Sequence, residues 1–244
     1  MKSIKHFLII LSLLAVPAGN ASALTILDNS TSSTIQIDGV NIANNTTRDE
    51  ARWKSFNFTT PSGYKWDLTS AYLAIYGVGS AKTGVDVTWA LYQNEGNTGT
   101  PKYQPTGTPY DSANGFIASS ITTNVTIPRA TANTAPILHQ FDLSSLPLLD
   151  PGTNYSLVAY TNTPVGELRV GVLTEYFEPT AYGGFVWHNE LKFWGTNQPA
   201  NWTNQNVSAF ELKATEVVPE PSTFLLLGAG LGGLALLRRK AKKQ

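Results

Sequence analysis

Cysteine is absent from this 244-residue sequence, and histidine is scarce. Without cysteine the chain has no disulfide, no thiolate metal site and no thiol nucleophile, so its apolar core alone must hold the fold. Of the three histidines, His6 lies close to the first residue, while His139 and His188 are far apart in the sequence. His139 also lies within a strand-like pattern. We therefore interpret both later histidines as structural residues.

Charge is also scarce, since Asp, Glu, Lys and Arg make up 14% of the chain. The formal net charge of zero hides an uneven distribution, because seven of the 17 basic residues lie in the two end segments. The region between those segments keeps ten basic residues against 16 acids, a net charge of −6. A nucleic-acid partner normally requires a basic surface, so this composition argues against one.

Long apolar runs are confined to the two ends of the chain. Near the first residue, Lys2 and Lys5 precede the apolar run Phe7–Val16, and the small residues Ala21-Ser22-Ala23 follow it. This order is typical of a secretory signal peptide. We predict a signal peptide over residues 1–23, with cleavage after Ala23. A permanent N-terminal membrane span is the alternative.

The second apolar run, Thr223–Leu237, contains no charged residue. As a helix it would be roughly 22 Å long, shorter than the ~30 Å hydrocarbon core but able to cross a locally thinned bilayer. Arg238, Arg239 and Lys240 follow directly, and basic residues favour the cytoplasmic side. We predict a transmembrane helix over 223–237 with the preceding chain outside the cytoplasm. A buried helix in a soluble core is the alternative.

A short proline-containing stretch, Val218-Pro219-Glu220-Pro221-Ser222, precedes this run. The two prolines fix φ, remove two backbone donors and favour extended conformation in the residues before them, a shape that a membrane-embedded protease could accept. With the Gly-rich apolar run and Arg238-Arg239, residues 218–244 closely resemble the PEP-CTERM sorting domain of exopolysaccharide-producing bacteria. The resemblance implies that the chain is the substrate of an exosortase, which processes it near this motif. It also implies transient membrane anchoring, followed by release to the cell surface or extracellular matrix.

The middle of the chain shows the period of β-strands. Val85, Val87, Trp89 and Leu91 alternate with residues of the opposite face, and Trp53–Thr59 does much the same. Further strands are predicted at 70–76, 121–127, 137–143, 155–160, 168–173, 185–187 and 207–214, and turn-forming clusters of Gly, Pro, Asn and Asp separate them. We therefore predict one exported, all-β domain over residues 24–217, an antiparallel β-sandwich or barrel.

A second resemblance favours the sandwich. The stretches Phe56–Thr60, Leu68–Leu73, Val87–Tyr92 and Leu149–Tyr155 follow one another in an order similar to that of the surface modules called choice-of-anchor domains. These modules often carry C-terminal sorting signals of this kind. The resemblance implies a jelly-roll-like fold and supplies no catalytic residues.

Aromatic residues are concentrated in Tyr182–Trp202, with amide side chains between them. Aromatic faces stack on sugar rings and amides bond sugar hydroxyls, so Trp187, Trp194 and Trp202 are candidate carbohydrate-binding residues. The competing interpretation is that these aromatics fill the core. Trp202 is the strongest candidate, because we expect its polar surroundings to form an exposed loop.

Catalytic and metal-binding patterns are weak. No G-x-S-x-G nucleophile elbow occurs, and the acid pairs Asp49-Glu50 and Glu175/Glu178 are typical of solvated surfaces. They leave open an exported hydrolase that acts on polysaccharide, since glycoside hydrolysis uses two carboxylates. We predict no cofactor, although Asp111–Gly115 has oxygen ligands suited to a structural calcium ion. Our interpretation is a non-enzymatic exported protein of the cell surface or matrix that associates with exopolysaccharide.

Overall fold

The computed structural model describes residues 22–30, 35–36, 43–45, 50–93, 115–129, 135–163, 167–173, 178–195, 201–204 and 208–218, together with Gly228 and Gly230. Residues Ala23–Glu216 form one compact unit, and the segments 1–22 and 217–244 belong to a separate one. The predicted signal peptide lies outside the described residues, apart from its end at Ser22-Ala23. Of the predicted transmembrane helix, only Gly228 and Gly230 are described, and both are helical.

Two antiparallel sheets contain most of the strands in the described part of the chain. The six-stranded sheet contains β1 (Leu24–Asp28), β5 (Lys65–Gly77), β8 (Leu138–Asp142), β10 (Leu168–Val170), β12 (Thr180–Ala181) and β15 (Phe210–Val217). The seven-stranded sheet contains β3 (Ala43–Asn45), β4 (Glu50–Thr59), β6 (Lys82–Gln93), β7 (Phe116–Ile127), β9 (Asn154–Thr161), β13 (Val186–Gly195) and β14 (Asn201–Asn204). A small separate pair joins β2 (Ile35–Gln36) and β11 (Val172–Leu173).

Strand order shows that distant parts of the sequence meet in each sheet. The first sheet runs β10-β5-β15-β1-β12, with β8 also paired to β5, and the second runs β14-β13-β4-β9-β6-β7, with β3 also paired to β4. The first strand of the domain therefore pairs with its last: Leu24 lies opposite Ala214 and Leu27 opposite Leu212. This pairing places both ends of the domain at the same end of one sheet.

The two sheets pack face to face around one apolar core. Phe56 on β4 lies 4.5 Å from Phe210 on β15, and Trp89 on β6 lies 5.8 Å from Phe141 on β8, measured between ring centroids. Each pair joins residues of different sheets, and all four side chains are buried. The contacts confirm the predicted all-β fold of two antiparallel sheets, which pack as a sandwich.

Most predicted strands are present, with different lengths. β13 is much longer than the three residues expected, and β15 ends at Val217, three residues beyond the expected end at Ala214. The stretch predicted as one strand at 168–173 is divided at Gly171, whose N–H bonds to the carbonyl of Ala74 in the neighbouring strand. Among the described residues, no helix is long and apolar enough to cross a membrane.

Candidate functional site

The sorting end of the domain is where β1 begins and β15 runs towards the proline motif. Ala23, after which we predict cleavage, is exposed directly before β1. β15 continues to Val217, and Val218, the first residue of the predicted motif, is exposed. The other motif residues, Pro219, Glu220, Pro221 and Ser222, lie outside the described residues, as do Ala21, Arg238, Arg239 and Lys240.

The seven-stranded sheet has two faces of different chemistry. On β4, Phe56 and Phe58 point into the main core, whereas Trp53 packs on the opposite face in a separate cluster with Tyr92 and Tyr160. Because side chains alternate along a strand, the polar residues Ser55, Asn57 and Thr59 share this outer face with Trp53. The outer face therefore carries an apolar cluster and, further along, a polar row.

A β-bulge adds His188 to this polar row. Trp187 pairs with Phe58 and Asn189 pairs with Asn57, so two residues of β13 advance against one of β4, and His188 is the extra residue. Bulges turn side chains out of the regular alternation and are frequent next to binding sites. Here the bulge brings the His188 ring to Thr59, with 2.6 Å between Nε2 and Oγ1.

Hydrogen bonds connect side chains of three strands across the outer face. Asn57 is fully buried and lies at the centre: its Nδ2 donates to Oδ1 of Asn189 at 2.6 Å, and its Oδ1 accepts from Oγ of Ser55 at 2.8 Å and from Oγ of Ser156. Thr59 donates to Oδ1 of Asn154 on β9. We call the half-buried outer members of this network, Thr59, Asn154, His188 and Asn189, the amide patch.

The protonation of His188 follows from its surroundings. Burial lowers the pKa of His188 from its ordinary value near 6.5, so the imidazole is neutral at pH 7. Because Thr59 uses its hydroxyl proton in the bond to Asn154, Nε2 of the neutral ring donates to Thr59. Nδ1 of His188 is then an acceptor, while Nδ2 of Asn189 supplies a donor. The amide patch thus offers both kinds of hydrogen-bonding group.

The inner face of the same strands holds a buried ion pair. Nζ of Lys54 on β4 contacts Oε1 of Glu190 on β13, and neither side chain is exposed. Ser208 also bonds to this carboxylate, through its N–H to Oε2 at 2.6 Å and through its hydroxyl to Oε1 at 2.5 Å. The two buried charges therefore neutralise each other, and Ser208 adds hydrogen bonds to both oxygens of the carboxylate, as burial of a charge requires.

Trp187 lies on the inner face and packs against the main core. Its ring centroid is 5.5 Å from that of Phe210 on the other sheet, and the side chain is half-buried. The competing interpretation made for the aromatic stretch, core packing, therefore describes Trp187.

Trp194 and Trp202 lie on strands. We expected Trp202 in an exposed loop, and this expectation was wrong: Trp202 lies on β14, opposite Phe193 of β13, which in turn lies opposite Trp53. Trp194 lies opposite Asn201 and Arg52. A strand forms because backbone pairing with β13 outweighs the low β-propensity of the flanking asparagines. The side chains of both tryptophans lie outside the described residues, so their part in sugar binding stays a prediction.

The two later histidines do not meet. His139 lies on β8 of the six-stranded sheet, opposite Leu73, while His188 lies on the other sheet. Burial lowers the pKa of His139 as well. Within the described ranges, no group of three His, Cys, Asp or Glu residues could hold a metal ion. Asp111–Asn114 of the proposed calcium stretch, and Asp49 and Glu175 of the acid pairs, lie outside those ranges.

Sequence reasoning missed most of the amide patch. It interpreted His188 as a structural residue, noted only that amide side chains lie between the aromatics of Tyr182–Trp202, and connected neither with Thr59 and Asn154. The available signal was the alternation in Trp53–Thr59, where the polar positions Ser55, Asn57 and Thr59 are spaced by two. The partners of Asn57 and Thr59 on other strands lie 95 to 132 positions away in the sequence, and only strand register brings them together.

Comparison with known proteins identifies the C-terminal segment. No curated protein matches the chain. Residues 217–240 match the PEP-CTERM protein-sorting motif, in agreement with the resemblance found from Val218–Ser222, the Gly-rich apolar run and the basic cluster. The chain therefore carries a PEP-CTERM sorting motif, which implies an exported protein that is anchored transiently in the membrane and processed by an exosortase.

Proposed function

We propose that the chain is a non-enzymatic protein of the cell surface or extracellular matrix, which associates with exopolysaccharide by binding its sugar units. Its sandwich then belongs to the choice-of-anchor type, and its ligand surface is the half-buried amide patch on the outer face of the seven-stranded sheet. The amide patch is the observation that carries this proposal. It groups amide, hydroxyl and imidazole side chains at the partly exposed edge of an otherwise buried network.

Sugar hydroxyls both donate and accept hydrogen bonds, and a site that recognises them needs both functions in fixed positions. In the amide patch, Nδ2 of Asn189 is a donor and Nδ1 of neutral His188 is an acceptor. Both residues are held by bonds to buried or paired groups, Asn57 and Thr59. A ligand that meets such preorganised groups loses less free energy to ordering them.

An aromatic platform would complete the site. β14, which carries Trp202, pairs with β13, which carries His188 and Asn189. Stacking of an indole ring on the apolar face of a pyranose would add to the hydrogen bonds of the patch. Trp202 remains our first candidate for this role, while Trp194 remains the second.

A polysaccharide pull-down tests the proposal. The processed protein, purified from culture medium, should sediment with exopolysaccharide of the producing cells, and Trp202→Ala should abolish sedimentation while changing the free energy of unfolding by no more than ~0.5 kcal/mol. Ile121→Ala is the matched control, because Ile121 is exposed on β7 of the same sheet.

Two outcomes would contradict this assignment. A loss of about 3–5 kcal/mol in the Trp202→Ala variant would mean that the ring fills the core. Release of soluble sugars from the exopolysaccharide by the purified wild-type protein would indicate a hydrolase instead of a binding protein.

A further inference from the structure

The sorting motif follows the last strand of the domain directly in the sequence. β15 is part of the six-stranded sheet up to Val217, and Pro219 follows two positions later. Two residues span at most about 7 Å, even when the chain is fully extended. An enzyme that takes the Pro-Glu-Pro element into its active site must therefore approach the end of the sandwich closely.

Large apolar side chains are exposed at this end of the domain. Leu24 is 51% exposed at the start of β1, opposite Ala214 of β15. Tyr182 is 47% exposed, and its N–H bonds to the carbonyl of Ile26 on β1, so its backbone lies beside this strand. Exposed aromatic and large aliphatic residues grouped in this way mark contact surfaces.

A groove adds shape to this surface. It has a volume of about 370 Å³ and is lined by Leu24, Ile26, Trp66, Tyr182 and Gly183, with Thr25 and Asp28 as its polar members. Gly183 adopts φ +62°, and an added Cβ would lie 3.6 Å from Cη2 of Trp66. The volume of the groove leaves room for a large apolar side chain of a partner.

We propose that this groove and its exposed rim, Leu24 and Tyr182, form a second contact surface for the enzyme that processes the sorting motif. The motif supplies the segment that enters the active site, and the groove receives an apolar loop of the membrane-embedded enzyme on the outer side of the membrane. The enzyme then recognises the folded domain as well as the motif. A chain whose β1–β15 pair has not formed would lack this second contact.

A pulse–chase experiment in the producing cells tests this surface with the full-length chain. Tyr182→Asp places a charge on the rim of the groove and should slow conversion of the full-length to the processed form about tenfold, as expected for loss of an aromatic anchor at an interface. Ile137→Asp is the matched control. Ile137 is 52% exposed and precedes β8, whose Leu138 pairs with Ala74. Ala74 bonds Ala209 at the opposite end of β15.

A flexible insertion distinguishes loss of the enzyme contact from a folding defect as the cause of slow processing. Twelve Gly and Ser residues between Glu216 and Val217 keep residues 217–240 intact and add a mean reach of about 19 Å. In this background Tyr182→Asp should no longer slow processing relative to its own parent. Complete loss of processing in the linker parent would also support the contact, because the intact motif would then be recognised only beside the surface.

Two results would overturn the proposal. One is normal processing of Tyr182→Asp in the chain without the insertion. The other is equal slowing by Tyr182→Asp with and without the insertion, since this would indicate a folding or export defect. Pull-down of exopolysaccharide by the released protein is measured separately, so failure of the proposed sugar binding would not be mistaken for failure of the enzyme contact.

Discussion

The inner and outer faces of β4 and β13 carry polar groups in two different states. On the inner face, the Glu190 carboxylate is buried and bonds to both Lys54 and Ser208, which are buried as well. On the outer face, His188 and Asn189 of the amide patch are half-buried, and Nδ1 of His188 and Nδ2 of Asn189 have no bond to a residue that the structure describes. A polar cluster with all its bonds made inside the protein stabilises one structure, whereas a cluster with remaining donors and acceptors can bind a ligand.

Substitutions in the buried cluster of Lys54, Glu190 and Ser208 should change stability more than substitutions in the amide patch. Lys54→Ala leaves the Glu190 carboxylate buried without its cation, and we expect a loss of about 3–5 kcal/mol in the free energy of unfolding. Chemical denaturation of the purified protein measures this loss. The double variant Lys54→Met with Glu190→Gln removes both charges and keeps an acceptor for Ser208, so it should recover most of the stability. A loss below ~1 kcal/mol for Lys54→Ala would mean that the ion pair is not buried as described.

Asn189 allows the two roles of the outer face to be separated. Asn189→Ala removes the acceptor of the buried Asn57 Nδ2 group, which should cost about 1–3 kcal/mol. Asn189→Asp keeps a carboxyl oxygen for Asn57 but removes the Nδ2 donor, so it should retain stability and weaken polysaccharide binding. Denaturation and pull-down on the same preparations check both expectations. Equal binding by Asn189→Asp and the wild type would remove this donor from the proposed site.

The smallest expected effect is on pH dependence. Burial lowers the pKa of His188 in the folded protein. Its contribution to the free energy of unfolding is therefore fully present above the pKa of the unfolded chain, near 6.5, and is lost as the pH falls through the lower pKa of the folded protein. His139 acts in the same direction. The urea concentration at the unfolding midpoint should therefore decrease as the pH is lowered from about 7.5 to about 5. His188→Gln should make this decrease smaller. An unchanged pH profile in His188→Gln would contradict the assignment of a neutral, buried ring.

The alternation of apolar and polar residues along the sequence predicted much of the fold. The alternation of Val85–Tyr92 and Trp53–Thr59 separates residues that face the main core from residues of the opposite face, where Trp53 and Tyr92 form a second buried cluster. Both stretches lie within the strands β6 and β4. β14 was missed because Asn201-Trp202-Thr203-Asn204 contains a single apolar residue, and its pairing with β13 is not visible in local composition. β1 was missed as well, because its five residues directly follow the predicted cleavage site and are too few to show a period.

The candidate site could be predicted only in part. The sorting motif is continuous in sequence, so Val218–Ser222 and the basic residues after it were sufficient to find it. The amide patch is not continuous, because Asn57 and Asn189 meet only through the register of β4 with β13, and His188 reaches Thr59 only through a bulge. A one-residue change of register would place these side chains on the opposite face, so composition alone could not define the patch.

The pairing of the first strand with the last also sets the order in which the domain can fold during export. β15 lies between β5 and β1 in the six-stranded sheet, so that sheet has no continuous centre until residues 210–217 have crossed the membrane. Contacts of such high sequence separation form slowly. The strands that are exported before β15 therefore keep unpaired edges until it arrives, and such edges favour aggregation. We expect the secreting cell to protect this intermediate, and the arrival of β15 coincides with the arrival of the anchor segment that follows it.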